Sequence, residues 1–276
     1  MIANYSKNLF LCLISLLSIG YYHGQISSIE LISDRSYSIN DPFSTYFIDE
    51  IGNTYIVNKD QIKKLNFQGK NIQQSAKKWQ QVSAIKPVNA LKIALFSESQ
   101  QSLCFLDNTL TEYGQCLVLN ELGYYNITAV ETSKRPDLIW LYDEINSSLI
   151  LFNYFRQIEV QRVDNLSGIN SLVAPLSIHE TNYGLWIFSG QDRVFLMDDY
   201  LNLLQTLYCP FENALPYEKG FFYVHKEVLS YYDVLTGGST AINISTEGAV
   251  DEIYISGNQL FIRQGSKIKV FIIKHS

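Results

Sequence analysis

Helical periodicity is nearly missing from the 276 residues; one short stretch, "NIQQSAKKW", reads as a helical turn and nothing longer does. Methionine (2) and proline (6) are scarce. Basic residues do not cluster: Lys63-Lys64 and Lys77-Lys78 are isolated pairs, and the formal net charge is −6. That balance excludes the basic face a nucleic-acid partner would need. Beyond residue 24 there are three histidines, His179, His225 and His275, with no His-x-x-His or Cys-x-x-Cys spacing, so no metal centre is legible. They read as ordinary surface or strand-end histidines. Calcium loops of the Asp-x-Asp-x-Asp-Gly kind, a Gly-x-Ser-x-Gly elbow and phosphate-cradling glycine loops are also missing. Gly190 in "FSGQD" is accounted for by a hairpin turn. The expectation is a non-enzymatic protein without a cofactor.

No apolar run is long enough to span a bilayer, which takes roughly 20 residues. The longest run near the start, Leu9–Ile19, has 11. One positive charge, Lys7, precedes it, and Gly24 follows before Gln25, the pattern of a secretory signal peptide over residues 1–24. Alternatives are a buried N-terminal helix or an anchor. Cys12 sits inside the apolar run after Leu11, which argues against a lipoprotein. Residues 25–276 are expected to form one exported domain, periplasmic or associated with an outer membrane, with secretion as the alternative. Export permits disulfides. Cys104 and Cys116 flank a turn-like stretch, and a hairpin there would set them nearly opposite each other. Two readings stay open, a bridge or two small buried hydrophobes. Cys209 has no obvious mate.

Aromatic residues are plentiful, with 19 Tyr and 15 Phe, which favours strands. Six stretches share one shape: an apolar strand, a short polar turn, a second apolar strand. They cover residues 52–69, 91–110, 137–155, 184–201, 221–237 and 258–273. Five end on Asp or Asn, at Asn66, Asp107, Asn153, Asp198 and Asp233; Ile273 holds the sixth place. Such side chains accept hydrogen bonds from backbone N–H groups about two residues on and start a tight turn. First strands precede the hairpins in "TYFIDE", "VSAIKP", "ITAVET", "SLVAPL", "NALPYE" and "VDEIYI"; polar-alternating fourth strands follow most of them. Four short strands repeating at about 40 residues predict a β-propeller of six four-stranded blades. The last unit lacks a fourth strand, and "ISSIELIS" (26–33) is spare, so the N-terminal strand is expected to complete the last blade. A pair of β-sandwiches or an open β-solenoid competes, and five or seven blades would need one misread unit.

Asp49, Gly52, Asn53, Tyr55 and Ile56 in "DEIGNTYI" resemble NHL-type propeller repeats, and Asp233, Thr236 and Gly237 in "YDVLTGG" resemble the turn of quinoprotein-type blades. The resemblance implies a propeller; the single turn, without the flanking Ala and Trp, implies no quinone.

Four acidic pairs, Asp49/Glu50, Asp143/Glu144, Asp198/Asp199 and Asp251/Glu252, lie at strand ends, where solvated carboxylates are common. Trp140 and Trp186 hold equivalent strand positions and are expected to pack between blades. Trp79 follows Lys77 and Lys78 in a polar segment, and Tyr124, Tyr125, Tyr154 and Phe155 sit near turns. Exposed aromatics beside basic residues mark binding surfaces, so these seven are the candidates for docking a protein partner in an envelope complex. The alternative function is a glycan-binding or glycan-cleaving propeller using acids and aromatics at the channel mouth. Asn126, Asn146, Asn165 and Asn243 head glycosylation sequons, meaningful only in a eukaryotic secretory setting.

Overall fold

A computed structural model describes residues 29–275, apart from 42, 44, 50, 60, 80, 171, 173, 174 and 245–247. The expected signal peptide lies outside the described residues. Those described form a β-propeller of six four-stranded antiparallel blades. The chain starts with β1 (Ile29–Ser38). Blade I is β2 (Thr45–Ile48), β3 (Thr54–Asn58), β4 (Gln61–Leu65) and β5 (Asn71–Gln74). Blade II is β6 (Ala84–Asn89), β7 (Lys92–Ser97), β8 (Ser102–Asp107) and a two-residue β9 (Leu117–Val118). Blade III is β10 (Ile127–Thr132), β11 (Leu138–Asp143), β12 (Ser148–Asn153) and β13 (Ile158–Val163). Blade IV is β14 (Pro175–Thr181), β15 (Gly184–Ser189), β16 (Arg193–Met197) and β17 (Leu203–Tyr208). Blade V is β18 (Asn213–Tyr217), β19 (Gly220–His225), β20 (Val228–Asp233) and β21 (Gly238–Ala241). Blade VI is β22 (Glu252–Ser256), β23 (Gln259–Gln264) and β24 (Lys267–His275), and β1 pairs with β24 from Ile29↔His275 to Ser38↔Lys267.

The turns form as the residue types dictate. Asn66 Oδ1 accepts from the backbone N–H of Gln68 and Lys70. Asp107 Oδ1 accepts from Thr109 and Thr111, and Asp198 Oδ1 from Tyr200 and Asn202. Asn153 and Asp233 do the same for Arg156 and for Leu235 and Thr236. At Ile273, which has no such side chain, the chain continues as strand. Gly184 has φ +127°, and a Cβ there would lie 2.3 Å from the Met197 carbonyl oxygen, so only glycine lets β15 start so close to β16.

Every interface between neighbouring blades holds its own apolar core. Trp140 packs between blades III and IV and Trp186 between IV and V, both fully buried, as their equivalent positions predict. Their indole N–H groups donate to Glu180 Oε2 (2.6 Å) and Thr181 Oγ1 (2.9 Å). Three of the six prolines, Pro87, Pro175 and Pro216, lie on first strands, whose free edge needs no ladder N–H.

Several local expectations are corrected. "NIQQSAKKW" contains strand β5 and no helix; the short helical turns are at Leu119–Leu122 and Leu166–Asn170. The first strand of blade IV is described over Pro175–Thr181, so it shares only Pro175 and Leu176 with "SLVAPL" and runs on through His179. Asp143 is buried rather than solvated, and its carboxylate accepts from the Asn146 side chain at 2.7 Å.

Removing residues 29–38 strips β24 of its partner along nine residues. The expected outcome is loss of the soluble monomer in size-exclusion chromatography, with recovery when the 29–38 peptide is supplied in trans. A truncated chain that stays monomeric with an unchanged melting temperature would contradict the closure.

Candidate functional site

The six first strands surround a central channel of about 480 Å³. Equal register on each strand brings one residue per blade to a common level. In each blade the third residue of the second strand pairs with this position: Tyr46↔Ile56, Lys86↔Ala94, Glu131↔Trp140, His179↔Trp186, Leu215↔Phe222 and Tyr254↔Phe261. All six line the channel, forming a belt.

Three belt residues make a contiguous polar chain. Lys86 Nζ donates to Glu131 Oε2 at 2.8 Å, and His179 Nδ1 lies 3.5 Å from the same oxygen. The other oxygen of Glu131 accepts from the Thr132 backbone N–H (3.0 Å) and hydroxyl (3.2 Å). Burial holds His179 neutral, its pKa lowered to about 4 despite the pull of Glu131, with Lys86 adding to the lowering. With Nδ1 facing a carboxylate, the proton sits on Nδ1 and Nε2 keeps its lone pair. That Nε2 is buried and unpartnered, as is the Tyr46 hydroxyl. Burial raises the Tyr254 phenol, and nearby Glu131 adds to the effect.

The other channel acids are engaged. Glu180 accepts from Trp140, Glu212 from the Lys226 backbone, and Glu252 from Arg263 at 3.3 Å. Among the described residues no three His, Cys, Asp or Glu gather as a metal site. His179 was missed as a channel residue because the first strand of blade IV was placed too early; the alternation "SIHET" was the signal that could have found it.

The second location is the outer edge of blade II, which faces blade I on one side and blade III on the other. Cys104 and Cys116 are bonded there, Cα–Cα 4.2 Å. Two clefts flank the bridge. One, about 680 Å³, is lined by Lys92, Phe105, Tyr113, Tyr154 and Phe155 among others. The other, about 430 Å³, is lined by Lys77, Lys78 and Trp79, and both share Cys116 and Val118. Five of the seven sequence candidates therefore line the two clefts beside the blade II edge, Lys77, Lys78 and Trp79 on the blade I side and Tyr154 and Phe155 on the blade III side.

Three aromatic candidates are not the exposed anchors expected. Trp79 is buried against Phe47, Ile85 and Leu95, with Lys77 Nζ 4.3 Å above its ring. Tyr124 is buried against Phe152, and its hydroxyl donates to Glu159 at 2.8 Å. Tyr154 is buried against Phe105, and its hydroxyl donates to Asp137 at 3.1 Å. In each case a polar atom or neighbour at the surface disguises an apolar body packed inward. Phe155 (77 % exposed) and Tyr125 (68 %) do face solvent, and Tyr113, not singled out from sequence, joins them at 58 %. Lys77 also pairs with Glu112 at 2.6 Å. Lys92 Nζ sits 4.2 Å over Tyr113 and 5.3 Å over Tyr154, fixing both rings.

No family model matches the sequence, and no curated protein matches it. Solved structures match in fold. The WD40 domain of Neurospora crassa Pan2 superposes with a TM-score of 0.56 at 8% identity, covering 84% of this chain and 89% of that one. Virginiamycin B lyase from Staphylococcus aureus gives 0.58 at 10% identity, covering 90% and 88%. BamB from Moraxella catarrhalis gives 0.54 at 10%, covering 90% and 94%. At these identities the likeness shows a β-propeller and nothing finer. Among the described residues no helix is long and apolar enough to cross a membrane.

Two predictions follow the geometry. Between pH 6.5 and 4 the unfolded chain takes up a proton that folded His179 refuses, so stability falls as pH falls, by up to about 3 kcal/mol from this group. Glu252, its carboxyl raised by burial, acts in the opposite sense, so the reading is the difference between wild type and His179→Gln in urea melts at pH 7 and pH 4. Wild type is expected to lose more; equal losses would remove His179 as the cause. The bridge spans a sequence separation of 12. Cys104→Ser with Cys116→Ser is expected to lower unfolding stability by about 3 kcal/mol through loop-closure entropy, read as a lower urea midpoint.

Proposed function

We propose that this chain is an exported, non-enzymatic β-propeller that docks a protein partner in the cell envelope through the outer edge of blade II, between blades I and III. One observation carries the reading. Exposed Tyr113 and Phe155 line one cleft, Lys77 and Lys78 line the other, and a disulfide ridge stiffens the ground between them. Rigid aromatic anchors lose little entropy on binding, and a few such residues supply most of an interface's affinity. Export is supported by the sequence pattern of residues 1–24 and fits the bonded cysteines. The engaged channel acids speak against glycoside cleavage. A general acid and a second carboxylate must be free to exchange protons or attack, whereas Glu131 has both oxygens occupied.

The test is affinity capture of the tagged mature protein from envelope extract, with Tyr113→Ala/Phe155→Ala as comparator. The expected result is a stoichiometric partner recovered by wild type and lost at least tenfold in the double variant, whose melting temperature is unchanged. A partner retained by the variant, or no partner at all, would overturn the rim assignment.

A further inference from the structure

The belt has a chemistry of its own. Its formal charge sums to zero: Lys86 positive, Glu131 negative, His179 neutral. Glu131 is engaged on one oxygen by Lys86 and the facing His179 Nδ1 and on the other by Thr132, which leaves it little to offer a ligand. What remains open is complementary. His179 Nε2 is an unpartnered acceptor, the Tyr46 hydroxyl is an unpartnered group, and Lys86 keeps ammonium protons beyond the one given to Glu131. A buried polar atom without a partner is costly, and a ligand that satisfies it recovers that cost. Beside them, Leu215, Pro216 and the Tyr254 ring supply apolar surface on the same channel wall.

An anion would meet the Glu131 charge and the Nε2 lone pair. A cation would meet Lys86. A hydroxyl suits both open functions, since it donates to Nε2 and accepts from Lys86 or Tyr46. A molecule with several hydroxyls and apolar C–H faces would also use the ring of Tyr254. The cavity, about 480 Å³, falls within the roughly 300–1,000 Å³ of small-ligand sites.

We propose that the channel belt formed by Tyr46, Lys86, His179 and Tyr254 binds a neutral polyhydroxylated ligand of mono- or disaccharide size. The proposal deepens the glycan-binding alternative and is independent of the rim reading. Binding needs no reaction: His179 accepts one hydroxyl proton as a hydrogen bond, and Lys86 and Tyr46 hold neighbouring oxygens.

The experiment is isothermal titration of the purified mature protein with glucose, maltose and N,N′-diacetylchitobiose, with inorganic phosphate and glycine betaine as charged and zwitterionic controls. Wild type is expected to bind at least one saccharide and neither control. His179→Leu, lacking the acceptor, is expected to weaken binding at least tenfold; His179→Gln, which restores an acceptor oxygen, is expected to recover part of it. Tyr46→Phe removes one hydroxyl and is expected to weaken binding severalfold without lowering the melting temperature, which separates ligand loss from misfolding. Saccharide binding unchanged by His179→Leu and Tyr46→Phe would overturn the belt assignment while leaving glycan binding at another place. Phosphate binding in preference to the saccharides would overturn the ligand class. No saccharide binding by wild type would overturn the site and the glycan alternative together.

Discussion

A strand from the front of the described chain, hydrogen-bonded to the last one, closes the ring, and the geometry of everything else follows from that closure. Each blade is a small twisted sheet with two apolar faces. Neither face is stable in water, and each is covered only by a neighbour. Six blades need six covered interfaces, and six separate cores are present, including the one between blade VI and blade I that joins Phe261 and Val270 to Tyr46 and Ile56. Opening the ring at β1 would expose the edge of β24 directly, and would loosen the grip on Val270 and Ile268 that holds this last core. The closure is therefore the contact on which the other interfaces lean.

Closure also turns register into convergence. Lys86, Glu131 and His179 are 45 and 48 residues apart along the chain, yet they touch because each occupies the same rung of its own first strand. Charges at such depth are tolerated only when paired, and the order of residues around the belt meets that demand: the single carboxylate has the ammonium on one side and the imidazole on the other. Burial then keeps the imidazole uncharged, since a second cation beside Lys86 would leave one positive charge without a counterion.

The architecture was legible because it is local and repeated. Hairpins, the Asx-type turns at Asn66, Asp107, Asn153, Asp198 and Asp233, and the spare N-terminal strand all follow from short-range residue chemistry, and the propeller follows from their spacing. The channel was not legible. Its side chains come from six distant segments, and the one that mattered most, His179, was obscured because the apolar "SLVAPL" suggested a strand ending at Leu176, whereas the described strand runs on through His179. The rim was half legible. Lys77, Lys78 and Phe155 stand where polar context and turn position put them. Trp79, Tyr124 and Tyr154 turned inward because packing between blades, which no local pattern records, offered each ring an apolar neighbour, and both tyrosine hydroxyls found a carboxylate on blade III.

Blade II shows why the rim and the channel can be separate sites on one rigid body. Its fourth strand has only two residues, against four or more in the other outermost strands. The length lost from the sheet is replaced by the covalent link between Cys104 and Cys116 and by the Tyr113 N–H bonded to the Phe105 carbonyl at 2.8 Å. The segment between the cysteines thereby keeps a few ladder contacts while the Tyr113 side chain faces the surface. On the opposite edge of the same sheet, β6 carries Lys86 into the belt. Two full strands, β7 and β8, lie between these edges, packed on both faces by neighbouring blades. A partner gripping the rim and a ligand seated in the channel would thus press on different edges of one stiff sheet. Coupling between them would require that sheet to shift within close-packed cores that resist small displacements. Independent occupation of the two sites is the outcome the packing favours.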